Sequence, residues 1–209
     1  MSCFTSISHS CSKEIGIHEY NWPTYEACEI HSMSMELFTW PWMDLFFKEE
    51  TEKYKFSHLA GAICFVPYGV AVDEFQHFVY ENPEASTQER NAAWRALEKK
   101  YLPHKNYAEN MFLEGGGYWQ RQSHIFSAPF YYIDYALAQI CAFQFWKQDK
   151  ENHEEAWKKY IELCNLSGSK SFLNLLEVAG LRSPFEEGCV ESVVGMIKDY
   201  LDQVDDRAF

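Results

Sequence analysis

Helical spacing of apolar residues runs through nearly the whole chain, and no segment alternates strictly as a half-buried strand would. That feature restricts the chain to all-α architectures. Pro23 is placed to open the first strong helix, and Pro41 should end or kink it near Trp40. Residues 50 to 81 read as one long helix or two, interrupted around Pro67-Tyr68-Gly69. Ser86-Thr87-Gln88-Glu89 is a capping box before "RNAAWRALEKKYL", which stops at Pro103. A loop runs through Gly115, Gly116 and Gly117, and a strongly apolar helix is predicted from about Pro129 to Trp146. Three amphipathic segments follow at 151–164, 170–179 and 185–204, the last opened by Ser183-Pro184 with Glu186 three after the serine. With no repeat, low-complexity tract or linker, residues 19–209 read as one irregular multi-helix bundle. Residues 1–18 are Ser-rich and lack a helical stripe, and they read as an atypical leader that need not be native.

Bulk composition narrows the function classes. Hydrophobic residues make up 47% and aromatics 17% of the 209 positions, enough for a well-filled core. The formal charge of −13 argues against nucleic acid and anionic lipid as partners, because both need clustered Lys and Arg. Seven scattered cysteines without a CxxC resemble neither a disulfide framework nor a zinc knuckle, so a reducing, cytoplasmic setting is expected. Neither an export signal nor a membrane span is read.

Two groups of residues could carry chemistry. Glu29 and Glu36 stand seven apart, two helical turns, so on a helix they share a face about 10 Å apart along the axis. Their neighbours are mostly apolar, and a bare carboxylate in such surroundings costs several kcal/mol. Each therefore calls for a cation, a donor, a metal, or a route to the surface. The second group is "HIFSAPFYYIDY", in which Tyr132 and Tyr135 lie on one helical face and His124 precedes them by a short loop. A histidine and two phenols brought together could donate to a developing oxyanion, or simply pack as aromatics. The glycine triplet 115–117 lacks the ending of a phosphate loop and could be a hinge or a plain turn. No two of the eight histidines are three or four apart, so a helical two-histidine metal clamp is absent. Asp73 and His77, spaced i,i+4, are expected to make a surface contact.

The strings "EACEIHSMSMELFTWPWMDLFF" and "QRQSHIFSAPFYYIDYALAQ" closely resemble the C-terminal part of the catalytic domain of M3-family zinc metallopeptidases, the thimet oligopeptidase and oligoendopeptidase F group. The resemblance extends from about Glu19 to the C-terminus. It implies a helical, zincin-like peptidase domain acting on short peptides, with zinc held by two histidines of an HExxH helix and by a later glutamate. By resemblance Glu29 is that third ligand and Glu36 a supporting carboxylate. His124, Tyr132 and Tyr135 match residues that bind substrate and stabilise the tetrahedral intermediate, and the Gly115–Gly117 loop matches a mobile segment. HExxH itself occurs nowhere in the chain, and the family pattern puts it roughly two dozen residues before Glu29. The resemblance thus implies a peptidase fragment that is inactive alone and does not retain zinc. A missing N-terminal half or a second copy is the expected partner, and a non-catalytic peptide-binding or self-associating module is the alternative.

Overall fold

A computed structural model describes residues 16–209, so all but the last three positions of the atypical leader lie outside the described residues. Seven helices of eight residues or more make up the described chain, with no strand among the described residues: α1 Tyr25–Phe38, α2 Thr51–Glu81, α3 Thr87–Tyr101, α4 Tyr132–Glu151, α5 His153–Leu166, α6 Phe172–Ala179 and α7 Glu191–Asp202. Single helical turns fill much of the rest. The all-α expectation is met.

Local punctuation explains most boundaries. Thr24, in extended conformation after Pro23, precedes α1, and a tight turn over Trp40–Trp42 with Pro41 in its first positions follows Thr39 at the helix end. At α3 the capping box forms as predicted. The Glu89 N–H donates to Ser86 Oγ at 3.3 Å, and the Ser86 N–H donates to Glu89 Oε2 at 2.8 Å. Ser86→Ala is therefore expected to cost about 1 kcal/mol in urea denaturation, whereas Ser86→Asp should cost much less.

Two boundaries differ from the sequence reading, and one open choice is decided. Helix α2 is a single helix, unbroken through Pro67 and Gly69. Proline removes one intrahelical donor, but the buried side chains of Ala71, Val72 and Phe75 anchor the turns that follow. Helix α4 starts at Tyr132 rather than Pro129, because Phe130 adopts a left-handed φ of 62° and gives its N–H to Gln76 Oε1 at 2.8 Å. The last helix starts at Glu191 instead of residue 185. Ser183 Oγ accepts from the Phe185 N–H, Glu186 faces the Arg182 guanidinium at 3.6 Å, and Gly188 turns the chain at φ 78°. The predicted capping pair is thus spent on a turn.

The described chain divides into two compact units, one of residues 63–136 and the other of the remainder. Helices α2 and α4 each contribute residues to both, so no linker marks the division in the sequence. In the larger unit, α1, α4, α5 and α6 bury Ala27, Ile30, Phe38, Phe145, Tyr160, Leu163, Leu175 and Leu176 together. In the smaller unit, Val72 and Phe75 of α2 pack on Trp94 and Leu97 of α3 and on Trp119. Phe75 meets Trp94 edge to face, with ring centroids 5.3 Å apart.

The middle of α2 bears on the reading that no membrane span is present. An 18-residue window there has a mean hydropathy of 1.3, so length and composition alone would allow it to cross a membrane. Only 22% of that window is buried. Asp73 and His77, further along α2, make the expected contact at 3.5 Å.

Candidate functional site

Helix α1 places the two glutamates. Its buried residues are Ala27, Ile30, His31, Ser34, Leu37 and Phe38, which recur at the three- and four-residue intervals of one helical face. Glu29 and Glu36 fall beside that face, and Glu29 is half-buried while Glu36 is exposed. The expectation of carboxylates enclosed by apolar groups is therefore corrected, because most of the apolar neighbours in sequence project away from them.

Each glutamate has a hydrogen-bonding partner. Ser32 Oγ donates to Glu29 Oε2 at 3.0 Å, one turn along the helix. Glu36 Oε2 lies 2.9 Å from His58 Nε2, and Trp40 Nε1 lies 3.1 Å from His58 Nδ1. An indole N–H can only donate, so His58 Nδ1 must accept and the ring proton sits on Nε2, facing Glu36. Trp40, His58 and Glu36 form a directed chain that holds the carboxylate. Tyr54 stacks on His58 at 5.5 Å, and burial followed by the Glu36 charge raises its phenol above the ordinary range. The sequence reading missed His58 because it lies 22 residues from Glu36 and forms no local motif.

The zinc expectation can be tested against these groups. Among the described residues, no three His, Cys, Asp or Glu side chains come together as a metal centre requires. Cys28, next to Glu29, is no ready substitute, since burial and then the charges of Glu29 and Glu26 push its thiol up to about 11. The described residues do not make a zinc site by themselves.

The smaller unit brings the second group together. His124 opens the single turn His124–Ser127, and its ring centroid lies 4.9 Å from that of Tyr132 and 5.9 Å from that of Tyr135. The two tyrosine rings, three residues apart on α4, are 5.6 Å apart. All three side chains are half-buried. Burial, then the neighbouring Tyr135 and Tyr118, raises the Tyr132 phenol, which keeps it protonated and a donor. Phe65 and Tyr68 of α2 wall the group on one side, with centroids 5.7 and 5.9 Å from Tyr132. A half-buried imidazole beside the Tyr132 and Tyr135 phenols suits donation to an oxygen that gains negative charge.

Gln122, which the sequence reading did not single out, completes this cluster. Its side-chain nitrogen lies 2.7 Å from His124 Nδ1, and its side-chain oxygen accepts from Tyr68 Oη at 2.9 Å.

The glycine triplet is closely packed. Gly116 has a φ of 90°, and a Cβ there would lie 1.9 Å from the Asn91 carbonyl oxygen on α3. A Cβ on Gly117 would meet the Phe112 ring at 2.4 Å. At Gly116 the backbone clash and the positive φ are a sufficient physical reason for glycine, whereas at Gly117 the exposed Phe112 ring could turn aside.

Comparison with known proteins gives the chain's relatives. The sequence profile of peptidase family M3 matches residues 6–194, beginning earlier than Glu19. A solved structure of PZ peptidase A with an inhibitor shares 64% identity over 96% of this chain, with a TM-score of 0.92. A structure described as an oligoendopeptidase F shares 59% over 97%, with a TM-score of 0.93, and another from Bacillus anthracis shares 57% over 97%, with a TM-score of 0.83. A search of curated proteins gave no match. The chain spans about a third of these solved proteins, covering 36%, 36% and 33% of their lengths. With most of its length matched by the family profile, the chain belongs to peptidase family M3.

Proposed function

We propose that this chain is the part of a cytoplasmic, zinc-dependent oligoendopeptidase that contributes one metal ligand and the donors for the scissile peptide carbonyl. Glu29 is the ligand and Glu36 its supporting carboxylate, while His124, Tyr132 and Tyr135 bind a short peptide and stabilise the oxyanion. The loop at Gly115–Gly117 lies on the substrate side and moves with peptide binding. The observation that carries the reading is the 64% identity to PZ peptidase A over 96% of this chain, which is only 36% of that protein. Alone, the chain is inactive, because one carboxylate leaves a catalytic zinc short of the usual three protein ligands.

The test is zinc per polypeptide after mild dialysis, alongside cleavage of a short fluorogenic peptide by the purified chain. The expected result is no retained zinc and no cleavage. Near one zinc per chain with chelator-sensitive cleavage would overturn the inactivity.

A second reading, self-association, is favoured by one patch. Leu45 and Phe46 are 70% and 72% exposed, with Trp42 beside them at 52%. Contiguous apolar exposure of this kind usually marks a contact surface. A strictly monomeric chain by light scattering at high concentration would count against it.

A further inference from the structure

We propose that Gln122 is a positioning residue that sets the tautomer of His124, so that the imidazole presents Nε2–H as its donor. This rests on the reading of His124 as a donor to the peptide carbonyl, and it concerns how that donor is prepared. Neutral imidazole carries one proton, and the nitrogen that holds it is decided by what the other nitrogen meets. Here Nδ1 meets the Gln122 side-chain amide at 2.7 Å, and among the described residues nothing accepts from Nε2.

The orientation of the amide follows from Tyr68. Burial, then the neighbouring Tyr132 and Tyr118, raises the Tyr68 phenol strongly, so its proton stays in place and needs an acceptor. With Gln122 Oε1 toward Tyr68 and Nε2 toward His124, the phenol donates to the amide oxygen at 2.9 Å and the amide N–H donates to Nδ1. With the amide reversed, the Tyr68 proton would have no acceptor among the described residues. The network therefore favours one direction: Tyr68 to Gln122 to His124 Nδ1. Its end is an imidazole whose remaining proton lies on Nε2.

Around the ring lie Tyr131, Tyr132 and Tyr135, with centroids at 6.1, 4.9 and 5.9 Å.

Long-range 1H–15N NMR of the 15N-histidine-labelled chain at pH 8 tests the assignment, with His124→Gln identifying the signal. His124 should be almost wholly in the Nε2–H form. Gln122→Leu should move the tautomer ratio toward that of free imidazole by about fivefold, the equivalent of one ordinary hydrogen bond. Gln122→Glu, nearly isosteric, should reverse the preference, because a carboxylate accepts from Nδ1–H. The other histidine signals serve as the control for folding. A wild-type ring in the Nδ1–H form, or ratios unmoved by both substitutions, would overturn the proposal. The readout needs no peptide or metal, so it is separate from the peptidase reading. If peptide binding fails while the tautomer responds as stated, the role of His124 falls and the action of Gln122 on it stands.

Discussion

Glu29→Gln is expected to abolish zinc retention and to reduce peptide hydrolysis by more than about 100-fold in a chimera where this chain replaces the matching third of PZ peptidase A. The substitution keeps size and shape, and a glutamine oxygen can still accept from Ser32 Oγ, which bonds Glu29 at 3.0 Å. Helix α1 should be unaffected, since its buried face runs through Ala27, Ile30, His31, Ser34, Leu37 and Phe38. What changes is the anionic oxygen that zinc needs, and a neutral amide is a poor replacement. Residues that merely orient a metal ligand typically cost about 10–100-fold when removed, so Glu36→Gln should be the milder change. Elemental analysis and a peptide cleavage assay on both variants check this. Full zinc and undiminished cleavage in Glu29→Gln would remove Glu29 from the metal site.

Lowering the pH from 7 to 4 is expected to cost the chain about 3 kcal/mol of stability through His31 alone. His31 is 1% exposed, edge-on to Tyr160 at 5.7 Å, with Cys164 Sγ 3.6 Å from its Nδ1. Burial lowers its proton affinity to about 4, below the ordinary 6.5. The unfolded chain therefore takes up the proton first as pH falls, and each tenfold difference in affinity is worth 1.36 kcal/mol. The contribution is complete above pH 6.5 and is lost progressively down to about pH 4. Carboxylates held low by their partners, such as Glu74 by Tyr101 and Glu114 by Arg95, keep their contributions above the ordinary 4.5 and lose them as the pH falls below it. Urea denaturation between pH 7 and 4, for wild type and His31→Asn, provides the measurement. Equal slopes against pH in the two proteins would show that His31 does not titrate in the folded state as stated.

Residues that act within one or two helical turns were legible without the structure. The Ser86–Glu89 box depends on a three-residue spacing, and both of its hydrogen bonds are present. Tyr132 and Tyr135 share a face because α4 spaces them so, and their rings are in contact. Ser183–Glu186 has the same spacing as the capping box and yet forms a turn, because Arg182 takes the glutamate and also donates to the carbonyls of Glu187 and Gly188. A local motif holds only where no tertiary or neighbouring group competes for its atoms.

By itself, then, the sequence determined an all-helical chain, the first helix and its proline boundaries, the capping box, and the strings that place it in family M3. Those are properties of short spacings and of residue order, which the chain carries wherever it folds. The tertiary structure decided which way α1 turns its glutamates, that α2 continues through Pro67, and that His58 and Gln122 stand behind Glu36 and His124. His58 lies 22 residues from Glu36, and Tyr68 lies 54 from Gln122. Hydrogen bonds across such separations arise from helix packing, which brings groups far apart in sequence within reach of one another.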